Sequence, residues 1–188
     1  SRAKIQLSYV INAFVIGLVF SFIAFIICEI FIFATGGSFL SMEAALKVIG
    51  LLVLSVLLAS SMNMLFVLFT NTLSAFSTLS TIIGTLIGFL AGVYVPMGVL
   101  PTFAQNLIML FPISHSSLLL RDAFMAESIN KVFAGVPIEH IEEYKINFGV
   151  MYVMNGSTLD TSTSLVVIIG SIIIFSIVSI IIFKKKNK

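Results

Sequence analysis

Four long apolar runs, separated by short polar breaks, dominate the chain. They cover about residues 5–33, 45–69, 73–95 and 165–183. The first stops at Thr35-Gly36-Gly37-Ser38, the second at Thr70-Asn71-Thr72 and the third at Pro96. Each approaches or exceeds the roughly 20 residues that an α-helix needs to cross a bilayer. Lipid offers the backbone no hydrogen bonds, so runs of this length predict helices. A barrel would need polarity alternating at period two, which is absent. The expected fold is therefore all-α: a polytopic transmembrane bundle forming a single domain over 1–188.

Between the third and fourth runs the pattern changes. Residues 97–111 are apolar but too short to cross, and Pro96, Pro101 and Pro112 interrupt them. Each proline disfavours helix at the residue before it, which predicts short broken helices in a re-entrant or interfacial hairpin. A helix is expected over Ser114 to Asn130, and a further short one starting near Val136-Pro137-Ile138-Glu139. Asn155-Gly156-Ser157 reads as a turn. The whole stretch 96–164 is read as a re-entrant and extracellular segment.

Composition agrees with the pattern. Of the 188 residues, 59% are hydrophobic and 10% charged, too little polar surface for a soluble domain. Basic residues cluster at the two ends, at Arg2 and Lys4 and at Lys184, Lys185, Lys186 and Lys188. Four spans bring both termini to one side, and the positive-inside rule makes that side cytoplasmic. The stretch from Pro112 to Ser164 carries three basic against six acidic side chains, a net of −3, and falls outside. The overall charge of +2 points to no nucleic-acid partner; the C-terminal lysines read as a membrane anchor. The first run is too long for a signal peptide and lacks a small-residue cleavage site. The single cysteine, Cys28, sits within it and reads as a small buried hydrophobe.

Three constellations invite functional readings. Gly84, Gly88 and Gly92 repeat every four residues along the third span, a spacing that lets membrane helices approach closely. That is either ordinary packing or contact near a moving interface. The same span carries Phe76, Ser77, Thr78 and Thr81, whose hydroxyls either bond back to their own helix or line a polar pathway. Glu29 and Lys47 sit near the outer ends of the first two spans. They either pair or reach the interface separately.

His115 and His140, with Glu142 and Glu143, raise an enzyme reading. Intramembrane proteases that process prenylated proteins use Glu-Glu-x-x-x-Arg followed by Phe-x-x-x-His. Phe111 to His115 resembles the second element, but Asn147 stands where the first needs arginine, and the order is reversed. Glu139, Glu142 and Glu143 read better as a solvated helix face. No Gly-x-x-x-x-Gly-Lys-Ser/Thr loop is present, so any ATP hydrolysis falls to a partner. No metal-site spacing occurs, and no cofactor is expected.

Residues 91–105 (AGVYVPMGVLPTFAQ), Phe111-Pro112-Ile113-Ser114-His115 and Leu120-Arg121-Asp122-Ala123-Phe124 resemble the permeases of type-2 ABC transporters. In that family the fifth helix ends in a Gly…Pro…Leu-Pro pattern, followed by short re-entrant helices and an arginine-bearing segment. Here Phe111 replaces the usual asparagine before Pro112. Ser1-Arg2-Ala3-Lys4-Ile5 resembles the start of the family's third helix. The resemblance implies helices three to six of a six-helix permease, with two helices upstream. It implies a second permease copy, identical or not, and a cytoplasmic ATPase subunit. It makes Phe76, Ser77, Thr78 and Thr81 pathway candidates, and Pro96, Pro101 and Pro112 the shapers of an outer gate. The implied activity is export of a drug, antimicrobial peptide, lipid or polysaccharide across a bacterial plasma membrane. A non-transporting sensor or scaffold that binds a partner through its outer loop is the alternative.

Overall fold

The computed structural model describes residues 2–70, 72–154 and 157–186. Asn71, the Asn155-Gly156 part of the expected turn and Lys188 lie outside the described residues, as do the side chains of Arg2, Lys4 and Lys186.

Among the described residues seven α-helices follow in chain order: α1 (Arg2–Ala34), α2 (Met42–Phe69), α3 (Leu73–Leu90), α4 (Thr102–Met109), α5 (Pro112–Val132), α6 (Ile138–Asn147) and α7 (Thr161–Lys186). A 3₁₀ turn, Met97–Val99, precedes α4. Two-residue strands, β1 (Val153–Met154) and β2 (Ser157–Thr158), pair antiparallel before α7. α1, α2, α3 and α7 are each long and apolar enough to cross a membrane. On this evidence the chain is a multi-pass membrane protein, and the all-α expectation holds apart from the small hairpin.

α2 is the spine of the bundle. It packs along α7, α1 and α5, and α7 also packs on α5. The core forms where these helices meet and includes Leu58, Met109, Leu118, Leu119, Tyr152 and Ile168. Elsewhere large apolar side chains face outward, among them Phe20, Phe31, Leu73 and Ile181. In water such a surface would drive aggregation; against acyl chains it is matched. α3 stands apart, with no buried residue.

Local chemistry sets the helix ends. Ser41 Oγ accepts from the Ala44 N–H at 3.2 Å and Thr72 Oγ1 from the Ala75 N–H at 3.2 Å, capping the N-termini of α2 and α3. The third span ends at Leu90, earlier than the Val95 expected from hydropathy. Gly92 adopts φ +64°; its N–H donates to Phe89 O at 2.9 Å, and the Val93 N–H donates to Gly88 O at 2.9 Å. This is a Schellman closure, and glycine takes its left-handed position without steric cost. α5 begins at Pro112, two residues before the expected Ser114, because proline at the first helical position loses no intrahelical bond. α4 and α5 meet at 93° across a short break.

Candidate functional site

Three prolines punctuate the segment that follows α3. Pro96 precedes the 3₁₀ turn, Pro101 precedes α4 and Pro112 opens α5. The three prolines thus mark each change of direction in the segment. Gln105 stitches it internally, donating from Nε2 to Met97 O at 3.0 Å and Leu100 O at 2.9 Å.

Arg121 ties this segment to α3. Its Nη2 donates to Ala91 O at 2.7 Å and Gly92 O at 2.8 Å, and Ser117 Oγ donates to Ala91 O at 2.9 Å. A guanidinium here meets the negative end of the α3 dipole and satisfies carbonyls that the helix end leaves open. Two glycines make room for it. A Cβ at Gly92 would lie 3.1 Å from Arg121 Nη1, and one at Gly149 would lie 2.8 Å from the same atom. Gly149 also takes φ +67°. Arg121 is therefore a three-way junction between α3, α5 and the turn after α6.

A second junction surrounds His115, which is 2% exposed. Its Nε2 lies 2.8 Å from Met109 O and its Nδ1 lies 3.0 Å from Ser164 Oγ. A carbonyl only accepts, so Nε2 carries the proton and Nδ1 accepts from the Ser164 hydroxyl. Beside it the Tyr152 hydroxyl donates to Ser114 O at 3.2 Å, and the Tyr152 and His115 rings meet edge-on at 6.0 Å. These bonds fix the bend between α4 and α5 against the start of α7. Burial pushes the Tyr152 phenol above its ordinary value of 10.0. A raised folded-state pKa means that the unfolded chain ionises first. The resulting stabilisation is full below pH 10 and should fade as pH climbs past it. Tyr152→Phe should cost about 1 kcal/mol and remove that alkaline loss, as read by thermal melts between pH 8 and 11.

The pairing considered for Glu29 and Lys47 does not form. Lys47 Nζ bonds Glu43 Oε1 at 2.8 Å, one helical turn away. Glu29 Oε2 accepts from the Leu40 N–H at 3.1 Å, closing the α1–α2 link. The near neighbour on its own helix wins Lys47, since i, i+4 geometry needs no reach across the loop. Glu43 and Lys47, with Asp122 and Glu127, line a cavity of about 640 Å³ between α2, α5 and α7.

The glycine repeat divides. Gly88 gives way to the Tyr94 ring and Gly92 to Arg121, while Gly84 faces open space. Tyr94 folds back over the end of its own helix, whereas Arg121 reaches in from α5. Among the pathway candidates, Thr78 and Thr81 are exposed and bond back to Ser74 O at 3.1 Å and Ser77 O at 3.0 Å. A groove of about 630 Å³ between α1, α2 and α3 is lined on the α3 side by Ser80, Ile83, Gly84 and Ile87, not by Phe76, Ser77, Thr78 or Thr81. At about 100° per residue Thr78 points roughly opposite to Ile87, whereas Thr81 lies only about 60° round from Gly84, beside the lining rather than in it. Periodicity alone did not reveal which face of α3 meets α1 and α2.

Glu142 and Glu143 are exposed on α6, and Glu143 lies 4.0 Å from His140. Neither is a hydrogen-bond partner of His115. Cys28 is exposed on α1, against the expectation of burial, because that face of the helix meets no other element. Comparison with family profiles, with curated proteins and with solved structures finds no match for this chain. Arg121 and the buried histidine junction were both missed as sites by sequence reasoning. The available signal for the first was its place in the family-like segment Leu120-Arg121-Asp122-Ala123-Phe124, directly after the apolar stretch Leu118-Leu119-Leu120.

Proposed function

We propose that the chain is the helix-three-to-six part of an ABC-exporter permease and works with a separate cytoplasmic ATPase. One observation carries the reading. The residues that resemble the family, from Gly92 through Pro96 and Pro101 to Arg121, form a single mechanical unit of helix end, 3₁₀ turn and bent helix pair. A unit joined to the end of α3 through Arg121 and Ser117 can move with that helix. Such coupling is what alternating access requires of an outer gate.

In this reading both termini are cytoplasmic and the bent α4–α5 pair is re-entrant from the outside, forming the gate with Pro96, Pro101 and Pro112 at its corners. A second permease copy covers α3, which has no buried residue in the single chain. The membrane is the bacterial plasma membrane, and the cargo belongs among drugs, antimicrobial peptides, lipids or polysaccharides.

The test is purification of the tagged chain from its native membrane in mild detergent. An ATPase subunit should be retained at near-stoichiometric amount, and its hydrolysis in nanodiscs should rise on adding cargo. Retention of an extracytoplasmic protein instead, lost on deleting 131–164, would favour the sensor or scaffold reading and end the transport one.

A further inference from the structure

Charge is absent from the lining of the groove between α1, α2 and α3, yet polar groups are not. Ser21 reaches it from α1, Ser60 and Asn63 from α2 and Ser80 from α3. Among the described residues none of these four side chains has a hydrogen-bond partner. Several other hydroxyls in the spans are paired, Ser55 of the same groove among them, although the buried Ser179 hydroxyl on α7 has no partner among the described residues. Ser55 and Ser61 on α2, and Thr78, Thr81 and Thr85 on α3, donate to carbonyls of their own helix at 2.7–3.1 Å. Back-bonding of that kind leaves a hydroxyl content in lipid. Asn63 has no such solution, since its amide brings two donors as well as an acceptor.

Open donors and acceptors at membrane depth are costly, because hydrocarbon offers nothing in return. Whatever fills the groove must therefore supply hydrogen bonds, and a plain acyl tail does not. A charged head would find no counter-ion in the lining, and charge itself is disfavoured there. The volume of about 630 Å³ falls in the range of roughly 300–1,000 Å³ that small-molecule sites occupy. We propose that this groove is a binding site for a neutral amphipath. A hydroxyl- or amide-bearing head meets Asn63, Ser60 and Ser80, and an apolar remainder lies along Ile83 and Ile87. The inference rests on the groove alone and not on the transport reading.

The probe is a monoacylglycerol carrying a diazirine in its chain, photolysed with the purified protein in nanodiscs and mapped by peptide mass spectrometry. Adducts should fall on α1–α3 residues lining the groove and should be displaced by unlabelled monoacylglycerol. A matched probe with a trimethylammonium head, which makes no hydrogen bond of this kind, should label about fivefold less, the loss expected for about one unmade hydrogen bond. One with a carboxylate head should also label less, because the lining holds no counter-ion. Gly84 has no atom within 4 Å of an added Cβ, so Gly84→Leu starts its side chain in open groove space and should suppress labelling. Asn63→Leu should lower it about fivefold by the same hydrogen-bond argument, and decides the matter should Gly84→Leu not fold. Thr78→Val, on the face roughly opposite Ile87, should leave labelling unchanged. Equal labelling by all three probes, or labelling indifferent to both groove variants, would mean that tails merely enter from the bilayer, and the site would be refuted.

Discussion

Replacing Arg121 with methionine should destabilise the folded chain by about 3 kcal/mol, from one stranded carbonyl at roughly 1–3 kcal/mol and the loss of charge-assisted bonds at roughly 1.5–3 kcal/mol. Methionine retains much of the apolar stem but has no donor. Gly92 O then loses its Arg121 donor, while Ala91 O keeps Ser117. At roughly 2–4 °C per kcal/mol for a chain of this size, melting in detergent should fall by about 6–12 °C. Arg121→Lys should recover part of the loss, since an ammonium also donates but lacks the fork that meets two carbonyls at once. Gly149→Ala approaches the same junction from the other side. Its methyl would press on Arg121 Nη1 and force alanine into a left-handed backbone. It should therefore destabilise in the same direction, and its effect should shrink in an Arg121→Met background, as coupled neighbours do. Full additivity of the two variants would contradict the junction.

The next largest effect is expected at His115. Leucine fills a similar volume but leaves the Met109 carbonyl without its donor and the Ser164 hydroxyl, 0% exposed, without its acceptor. Two buried groups stranded together should cost about 2–5 kcal/mol. The damage should be local to the junction. Hydrogen exchange should accelerate across 102–115 and at the start of α7, with α1 unchanged. Glutamine can donate to one partner and accept from the other, so His115→Gln should restore a substantial fraction. A leucine variant that melted like the parent would show that these bonds do not hold the bend.

Both effects involve residues far apart in sequence, and that bears on what was legible beforehand. The four spans were readable because crossing a bilayer imposes length and hydropathy on contiguous residues, and each apolar run became a helix near its expected bounds. The broken segment after α3 was readable because proline acts on its immediate neighbour. Arg121 was visible only as part of a family-like segment, beside Asp122; the carbonyls that it serves lie 29 and 30 residues away. The Glu29–Lys47 pair failed for a related reason. Glu43, one turn from Lys47, was nearer than any partner across the loop.

Sequence by itself determined that this is a membrane chain with four helices able to span and a proline-broken stretch before the last. Local terms alone fix those features: hydropathy over about 20 residues, proline sterics and glycine's access to positive φ. Tertiary structure decided the 93° bend, the face of α3 turned toward the groove, the role of Arg121 at the end of that helix and the burial of His115. An apolar helix in lipid carries little amphipathic signal, since lipid-facing and protein-facing positions are alike greasy. Only contacts between distant segments set its rotation and its partners.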